Sequence, residues 1–338
     1  MEYLFEYGLF LAKALTVVVA LAIIIALIVG ASAKPKSKAG SLEVTDLSEQ
    51  MRTIKDDFLA NTLDKKALKA LKKQQKAESK EQIDEANKGK VYVIDFKGSM
   101  DAHEVESLRE EISALLMLAN KETDQVLVRL ESGGGVVHGY GLAASQLQRI
   151  KEADIKLTIA IDKVAASGGY MMACVADEVI AAPFAIVGSI GVVAQIPNFN
   201  KILKKNDIDY EQITAGQYKR TLTLFGENTD DGRDKFKEEI EQTHSLFKQF
   251  VAQHRPSMDL DVVATGEHWF ALDAKDKGLV DRITTSDDEL MTLAKDKQAY
   301  KLTYKQKKGL ADKFAKNLAI TVEYAAMRLW SQTQRLKP

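Results

Sequence analysis

The sequence contains a single cysteine, Cys174, among 338 residues. One thiol cannot form a disulfide within the chain, and it cannot supply the several thiolates of a zinc or iron–sulfur site. Positive charge is not in excess either, because 47 basic residues face 48 acidic ones and the net charge is −1. Since no zinc-knuckle or RNA-binding signature is present, the sequence predicts neither a nucleic-acid partner nor a metal site.

The usual nucleotide-binding signatures are also missing. The glycine-rich stretch "ESGGGVVHGYG", residues 131–141, has neither the Gly-Lys-Ser/Thr ending of a P-loop nor the Gly-x-Gly-x-x-Gly spacing of a dinucleotide site. No cofactor is therefore predicted. Apolar residues are plentiful by contrast, at 46% of the chain, which is enough for a large folded core.

An apolar run near the N-terminus is the clearest physical signal. Residues 14–29 carry no charge, and the apolar residues before Lys13 extend the run to about 20 residues, enough to span a bilayer core of roughly 30 Å. A cleaved signal peptide is the alternative, since "ASA" follows the run. The run is long for a signal peptide, however, and the chain starts with Glu2 and Glu6 rather than with basic residues. We therefore predict a retained membrane anchor over 1–33.

The residues that follow the run bear on orientation and on the next segment. Lys34, Lys36 and Lys38 come directly after the predicted span, so the positive-inside rule places the bulk of the chain in the cytoplasm. The stretch 34–90 is dense in Lys, Glu, Gln and Ala, which are strong helix formers, and has few large apolar residues. It predicts a charged, solvated helical spacer. The alternative is that its lysines contact a membrane surface or nucleic acid.

A folded domain is predicted over 91–305, because strand-like and helix-like segments alternate there. Such alternation is typical of βαβ units, which form a parallel sheet with helical covers and place functional loops at the carboxyl ends of the strands. Residues 306–338 show mostly helical spacing of apolar residues and predict a helix that packs on the domain or on a neighbouring subunit; a helix on a membrane surface is the alternative. The predicted strands are 91–96, 125–130 and 156–162, and the predicted helices are 103–120 and 141–153.

Two loops at such strand ends could carry chemistry. One holds three consecutive glycines, and the other, "KVAASGG", holds Ser167 where a helix opens. Backbone amides at the start of a helix bind negative charge, so a serine there can attack a carbonyl whose oxygen the amides then hold. The amide of Gly134 or Gly135, together with that of Gly168, would make a two-donor oxyanion hole. The alternative is a tight turn with no chemistry.

A nucleophilic serine needs a base, and the sequence offers two candidates. His138 and Asp162 lie in or beside the two loops and would complete a Ser/His/Asp triad with Ser167. Lys219, in "TAGQYKRTLT", lies among small, hydroxyl and apolar residues. Apolar surroundings favour the neutral amine that a lysine base requires. The residues alone do not choose between His138 and Lys219 as the base. They also leave open that Lys219 is an ordinary surface lysine.

Three motifs taken together carry a resemblance to a known family. "KVAASGGYMMACVADEVIAAPFAIVGSIGVV", the glycine loop upstream and "TAGQYKRTLT" downstream resemble the membrane-anchored serine peptidases of the signal peptide peptidase A type. The resemblance implies an α/β, ClpP/crotonase-like fold of repeated ββα units. It also implies Ser167 as nucleophile, Lys219 as general base and Ser189 as the hydroxyl that orients the lysine. It implies no metal and no cofactor.

The same resemblance implies partners and a location. The partners are peptide or protein substrates, such as released signal peptides, and further copies of the chain in a ring or dome whose active sites are shared between neighbours. The location is the cytoplasmic (inner) membrane, with the domain outside the cytoplasm, against the lysine pattern after the span. Two other functions fit the same fold: a non-catalytic scaffold or peptide-binding protein, and an acyl-CoA enzyme.

One residue departs from the family pattern. Gly133 occupies a position where relatives usually have proline. Because proline fixes φ and glycine releases it, we expect a looser loop around the predicted oxyanion donors.

Overall fold

The computed structural model describes Gly8, Phe10, Lys13 and residues 40–64, 66–69 and 89–306. Most of the predicted anchor, part of the predicted spacer and nearly all of the predicted C-terminal helix lie outside these residues. By internal packing, Leu42–Tyr304 forms one compact unit, and Met1–Ser41 with Lys305–Pro338 forms another. Within the described part of the chain, no helix combines the length and the apolar character that crossing a membrane takes.

Strands and helices alternate along the larger unit. The strands are β1 (Ser41–Asp46), β2 (Lys90–Lys97), β3 (Gln125–Glu131), β4 (Lys156–Ile161), β5 (Val164–Ala166), β6 (Glu178–Ala181), β7 (Ile186–Gly188), β8 (His268–Phe270), β9 (Arg282–Ile283) and β10 (Gln298–Lys305). The helices are α1 (Leu47–Thr62), α2 (Val105–Leu118), α3 (Val137–Glu152), α4 (Gly168–Ala173), α5 (Asn200–Lys205), α6 (Asp230–His254), α7 (Leu260–Val263), α8 (Ala271–Asp276) and α9 (Ser286–Leu293).

Two sheets organise the fold. Seven strands form the main sheet in the order β1-β10-β2-β3-β4-β6-β9, and β5, β7 and β8 form the second sheet. The pairs from β10 through β2, β3, β4 and β6 to β9 are all parallel. In the second sheet β5 pairs parallel with β7, while β7 pairs antiparallel with β8. The predicted mixed α/β architecture around a parallel sheet is confirmed.

The central strand β2 explains why the main sheet is buried on both sides. Its sequence is apolar at nearly every position, so alternate side chains enter two different cores. Tyr92, Ile94 and Phe96 join the larger core, and Val91 and Val93 join a smaller core on the opposite face. Each fully buried large apolar side chain contributes about 1.5–3 kcal/mol. The sheet is therefore a rigid platform for the loops at its carboxyl edge.

The two helices that follow β2 and β3 cover the larger core. The spacing of apolar residues in α2 predicts one shared face of Val105, Leu108, Ile112, Leu115 and Leu116; the first four are buried and Leu116 is partly buried against the same core. The helix α3 begins at Val137, four residues earlier than predicted, because its first turn includes glycines that allow close backbone contact. A Cβ at Gly139 would lie 2.8 Å from the Asp101 carbonyl oxygen. The glycine loop therefore leads directly into a helix.

The predicted spacer differs from the structure in its first part. Residues 41–46 form the strand β1 at the edge of the main sheet rather than a helix. The alternation of Leu42 and Val44 with polar neighbours is a strand pattern that the surrounding helix-forming residues obscured. The helix predicted for this stretch then follows as α1, capped by Asp46, whose carboxylate accepts the Glu49 amide at 2.8 Å.

Candidate active site

Ser167 lies at the junction of β5 and α4 with an unusual backbone. Its φ of 53° and ψ of −119° belong to a region that residues other than glycine rarely adopt, at a cost of about 1–3 kcal/mol. Two hydrogen bonds fix this geometry: its amide donates to the Gly188 carbonyl at 2.8 Å, and its carbonyl accepts the Met171 amide at 3.0 Å. The Ser167 side chain is partly exposed, and its hydroxyl bonds to no described residue. The hydroxyl is thus presented for reaction.

The glycine loop lies directly against Ser167. A Cβ at Gly134 would lie 2.7 Å from the Ser167 Cβ and 2.8 Å from the Gly168 nitrogen, so only glycine allows this approach. The two loops are joined through Ser132, whose amide donates to the Val164 carbonyl at 2.9 Å and whose carbonyl accepts the Ala166 amide at 3.0 Å. The predicted juxtaposition of the two loops is therefore present in the structure.

The amides of the glycine loop are not equivalent. The Gly134 amide already donates to the Ser132 hydroxyl oxygen at 3.0 Å. The amides of Gly135 and Gly168 have no acceptor among the described residues. Of the two loop amides that the sequence suggested as oxyanion donors, that of Gly135 is the one left unpaired.

Ser189 is tied to Ser167 through its neighbour in the chain. It follows β7, and the carbonyl of the preceding residue, Gly188, is the one that holds the Ser167 amide. Ser189 also has a positive φ, 52°, and its amide donates to the Glu267 carbonyl at 2.6 Å. The pairing of β7 with β8 places Gly188 opposite His268. A short antiparallel ladder therefore fixes the backbone on which both serines depend.

Lys219 is held apart from these residues. It is exposed, in the irregular stretch 206–229 between α5 and α6. Its ammonium makes no hydrogen bond or ion pair with any described residue, and its amide donates to the Gly216 carbonyl at 3.2 Å. One protomer does not bring Lys219 into hydrogen-bond contact with Ser167.

The histidine alternative is not assembled either. His138 is exposed in the first turn of α3 and has no hydrogen-bond partner in the described parts of the chain. The Asp162 carboxylate accepts the Ser286 amide at 2.8 Å and the Ser286 hydroxyl at 2.5 Å. Because Asp162 binds Ser286, no Ser167–His138–Asp162 chain of hydrogen bonds forms.

Comparison with known proteins decides the family. Residues 2–147 match Peptidase family S49 N-terminal, and residues 149–300 match Peptidase family S49. A probable protease SohB of Haemophilus influenzae is 50% identical over 328 residues, which cover 93% of each chain. The chain belongs to peptidase family S49. As an S49 member it is a serine peptidase.

Further relatives extend the same match. A probable protease SohB of Buchnera aphidicola subsp. Schlechtendalia chinensis is 49% identical over 305 residues, covering 86% of this chain and 100% of the relative. A solved structure of a mutant 1510-N membrane-bound stomatin-specific protease, in complex with a substrate peptide, has 14% identity and a TM-score of 0.41. It covers 68% of this chain and 98% of that structure.

Two features of this S49 site were not predicted from the sequence. The first is the role of "TGEHW", residues 265–269, which leads into β8 and supplies the Glu267 carbonyl that holds Ser189; a three-residue strand has too short a pattern to detect. The second is the complete burial of Cys174. Complete burial raises the pKa of the Cys174 thiol to about 12, so this thiol stays protonated and unreactive.

Proposed function

We propose that the chain is a membrane-anchored serine endopeptidase in which Ser167 is the nucleophile and Lys219 the general base. The observation that carries the proposal is the close approach of Gly134 to the strained Ser167, next in sequence to two amides, those of Gly135 and Gly168, that have no acceptor among the described residues. Strained backbone persists where the surrounding structure holds a reactive group in place. The arrangement suits acyl transfer, in which a carbonyl oxygen becomes negative.

The reaction follows from these groups. The neutral amine of Lys219 takes the Ser167 hydroxyl proton as the oxygen attacks the scissile carbonyl carbon. The amides of Gly135 and Gly168 donate to the resulting oxyanion, and the lysine ammonium then protonates the leaving amine. Water hydrolyses the acyl-enzyme with Lys219 again as base. Ser189 orients the amine through its hydroxyl.

A second copy of the chain would complete this site. The stretch from Gly191 to Asn228, which contains Lys219, exposes many large apolar side chains; Val193 is 81% and Ile213 94% exposed, and α5 buries none of its residues. Exposed apolar patches of this kind are typical of interfaces. Packing of this stretch on a neighbouring protomer would cover those side chains and surround Lys219 with apolar groups, which favours the neutral amine.

The dyad is tested on the full-length protein in detergent. Wild type, Ser167→Ala, Lys219→Ala and a control, Lys205→Ala, are treated with a fluorophosphonate probe and with a denatured protein substrate. We expect labelling and cleavage in the wild type and the control only, with the label on Ser167 by mass spectrometry. Lys205 is an exposed lysine on nearby α5, so it controls for loss of charge. Equal cleavage by all four proteins, or by none, refutes the dyad.

Sharing of the site between subunits has its own test. Ser167→Ala and Lys219→Ala proteins are unfolded together, refolded and assayed. If each site takes its serine and its lysine from different protomers, random mixing leaves about a quarter of the sites intact. Activity near a quarter of the wild-type value is expected. No recovery in mixed oligomers shows that both residues act within one protomer.

The anchor and the substrates complete the proposal. Residues 1–33 would hold the peptidase in the cytoplasmic membrane, with the domain on its outer face, and the substrates would be peptides or membrane-protein fragments such as released signal peptides. The relatives' printed names support a protease and do not state a substrate. Resistance of the membrane-bound protein to carbonate extraction, and its digestion by protease added to spheroplasts, are the expected results. Protection of the domain in intact spheroplasts would place it in the cytoplasm.

A further inference from the structure

A buried tyrosine lies beneath both halves of the proposed oxyanion hole. Tyr140, on α3, is fully buried, and its ring packs against the Gly168 backbone, where a Cβ would overlap the ring carbons. Its phenol oxygen lies 2.5 Å from the Ser132 hydroxyl oxygen and 2.8 Å from the Ser99 carbonyl oxygen. One side chain therefore contacts the residue after the nucleophile, the glycine loop and the loop that follows β2.

The donors and acceptors of Ser99, Tyr140 and Ser132 allow only one direction for the hydrogen bonds that join them. The Ser99 carbonyl can only accept, so the phenol proton of Tyr140 points to it. The Ser132 hydroxyl must then donate to the phenol oxygen, because the phenol has no second proton. The remaining lone pairs of the Ser132 oxygen accept the Gly134 amide. Reversing any member would leave a buried polar group unpaired, which costs about 1–3 kcal/mol in general.

This chain of hydrogen bonds decides which amide stays available. It engages the Gly134 amide and so fixes the turn that carries the unpaired Gly135 amide. The other side of the turn is fixed by Met100, whose carbonyl accepts the Val136 amide at 2.8 Å. Tyr140 holds the carbonyl of Ser99, the residue before Met100. The same phenol therefore anchors the glycine loop and the loop on which it rests.

The pocket around the phenol depends on another glycine. A Cβ at Gly98 would overlap the Tyr140 phenol oxygen and lie 2.8 Å from the Ser132 hydroxyl oxygen. Only a residue without a side chain leaves room for the Ser132–Tyr140 pair. Gly133 in the same loop has no ring to fix its φ, and the hydrogen-bonded pair provides a restraint there.

We propose that Ser132 and Tyr140 are positioning residues of the peptidase: they hold the Gly135 amide beside the Gly168 amide and so set the geometry of the oxyanion hole. The inference rests on the proposed function, because it assigns the pair a role in that reaction. Neither side chain would touch the substrate. Their loss should therefore lower turnover and the binding of tetrahedral mimics more than it weakens substrate binding.

The test compares full-length wild type with Tyr140→Phe, Ser132→Ala and the double variant. A fluorogenic peptide that the wild type cleaves gives kcat and KM, and a peptide boronate reports binding of a tetrahedral adduct. We expect kcat to fall about 10²-fold in each single variant, with KM within about two-fold, since misplacement by about 1 Å costs that much. Boronate affinity should fall in parallel. The double variant should be no slower than the worse single variant, because the two residues act as a unit.

Two controls separate this role from loss of stability and from failure of the proposed function. Tyr92→Phe removes another buried phenol, one that bonds Asp124 near the start of β2, and should lower the melting temperature without lowering kcat. Ser167→Ala must be inactive if the proposed function holds. If Ser167→Ala is inactive while Tyr140→Phe and Ser132→Ala keep kcat within two-fold, the positioning role is refuted and the peptidase is not. Should Tyr140→Phe fail to fold, Ser132→Ala decides alone.

Discussion

A methyl group at Gly134 tests how closely the glycine loop and the Ser167 loop are packed. In Gly134→Ala the new Cβ would lie 2.7 Å from the Ser167 Cβ and 2.8 Å from both the Ala166 carbonyl oxygen and the Gly168 nitrogen. Overpacking of this kind costs about 1–3 kcal/mol. The φ of 89° at Gly134 adds about 1–3 kcal/mol for any other residue. We therefore expect the free energy of unfolding to fall by about 2–6 kcal/mol in total.

Displacement of the glycine loop should also slow the reaction of Ser167. The clash is relieved only if the glycine loop moves away from Ser167, and movement by about 1 Å costs about 10²-fold in rate. The melting temperature, measured by circular dichroism, should fall by about 4–24 °C, and fluorophosphonate labelling of Ser167 should slow by about 10²-fold. Gly133→Ala is the matched control, because no atom lies within 4 Å of its Cβ position. If Gly134→Ala is as stable and as reactive as Gly133→Ala, the packing argument is wrong.

Three further predictions concern the loop, acid stability and the buried thiol. Gly133→Pro should raise stability by about 0.4–1 kcal/mol, because the φ of this residue is not left-handed and its amide bonds to no described residue; a drop in melting temperature or labelling rate would contradict this. For Asp281, burial raises the pKa of the carboxyl, but hydrogen bonds from Arg255 and the Val179 amide outweigh it and leave the pKa below 3.8. The stabilisation is thus present above about pH 4 and is lost as the pH falls through the lowered pKa. The free energy of unfolding of Asp281→Asn, measured in urea, should therefore lie further below that of the wild type at pH 6 than at pH 3. An equal difference at both pH values would refute this. Cys174 should resist a thiol reagent in the native protein and react within minutes in guanidinium, whereas fast native labelling would show that the burial is incomplete.

The sequence alone was sufficient to predict the parallel sheet and the proximity of the two loops that hold Gly134 and Ser167. The run from Val91 to Phe96 is apolar on both faces, a pattern that requires burial on both sides. Parallel strands end at one edge, so the loops that hold Gly134 and Ser167 had to lie near each other. The apolar face of α2 was equally clear, since its spacing repeats over several turns.

Other features depend on contacts that no local pattern encodes. The second sheet is built from three strands of three residues each, too short for a periodic signal, yet it holds Ser189 through Glu267. The Ser132–Tyr140 pair joins residues whose types are ordinary and whose geometry depends on the gap at Gly98. The residues around Lys219 left an ordinary surface lysine open as an alternative, and Lys219 is exposed in the structure.

The strand order of the main sheet also determines when the domain can be completed during synthesis. β1 is separated from β2 by β10, so the first of the described strands to leave the ribosome is joined to the sheet only by the last of them. Synthesis proceeds at about 5–20 residues per second. The segment from β2 to β9 therefore emerges and can pack before β10, the partner of β1, has been made. The edge of β2 stays open for the same interval, and closing it requires a contact of high sequence separation, which is slow to form. The final step of folding therefore joins the two ends of the domain and shields an edge that would otherwise pair with another nascent chain.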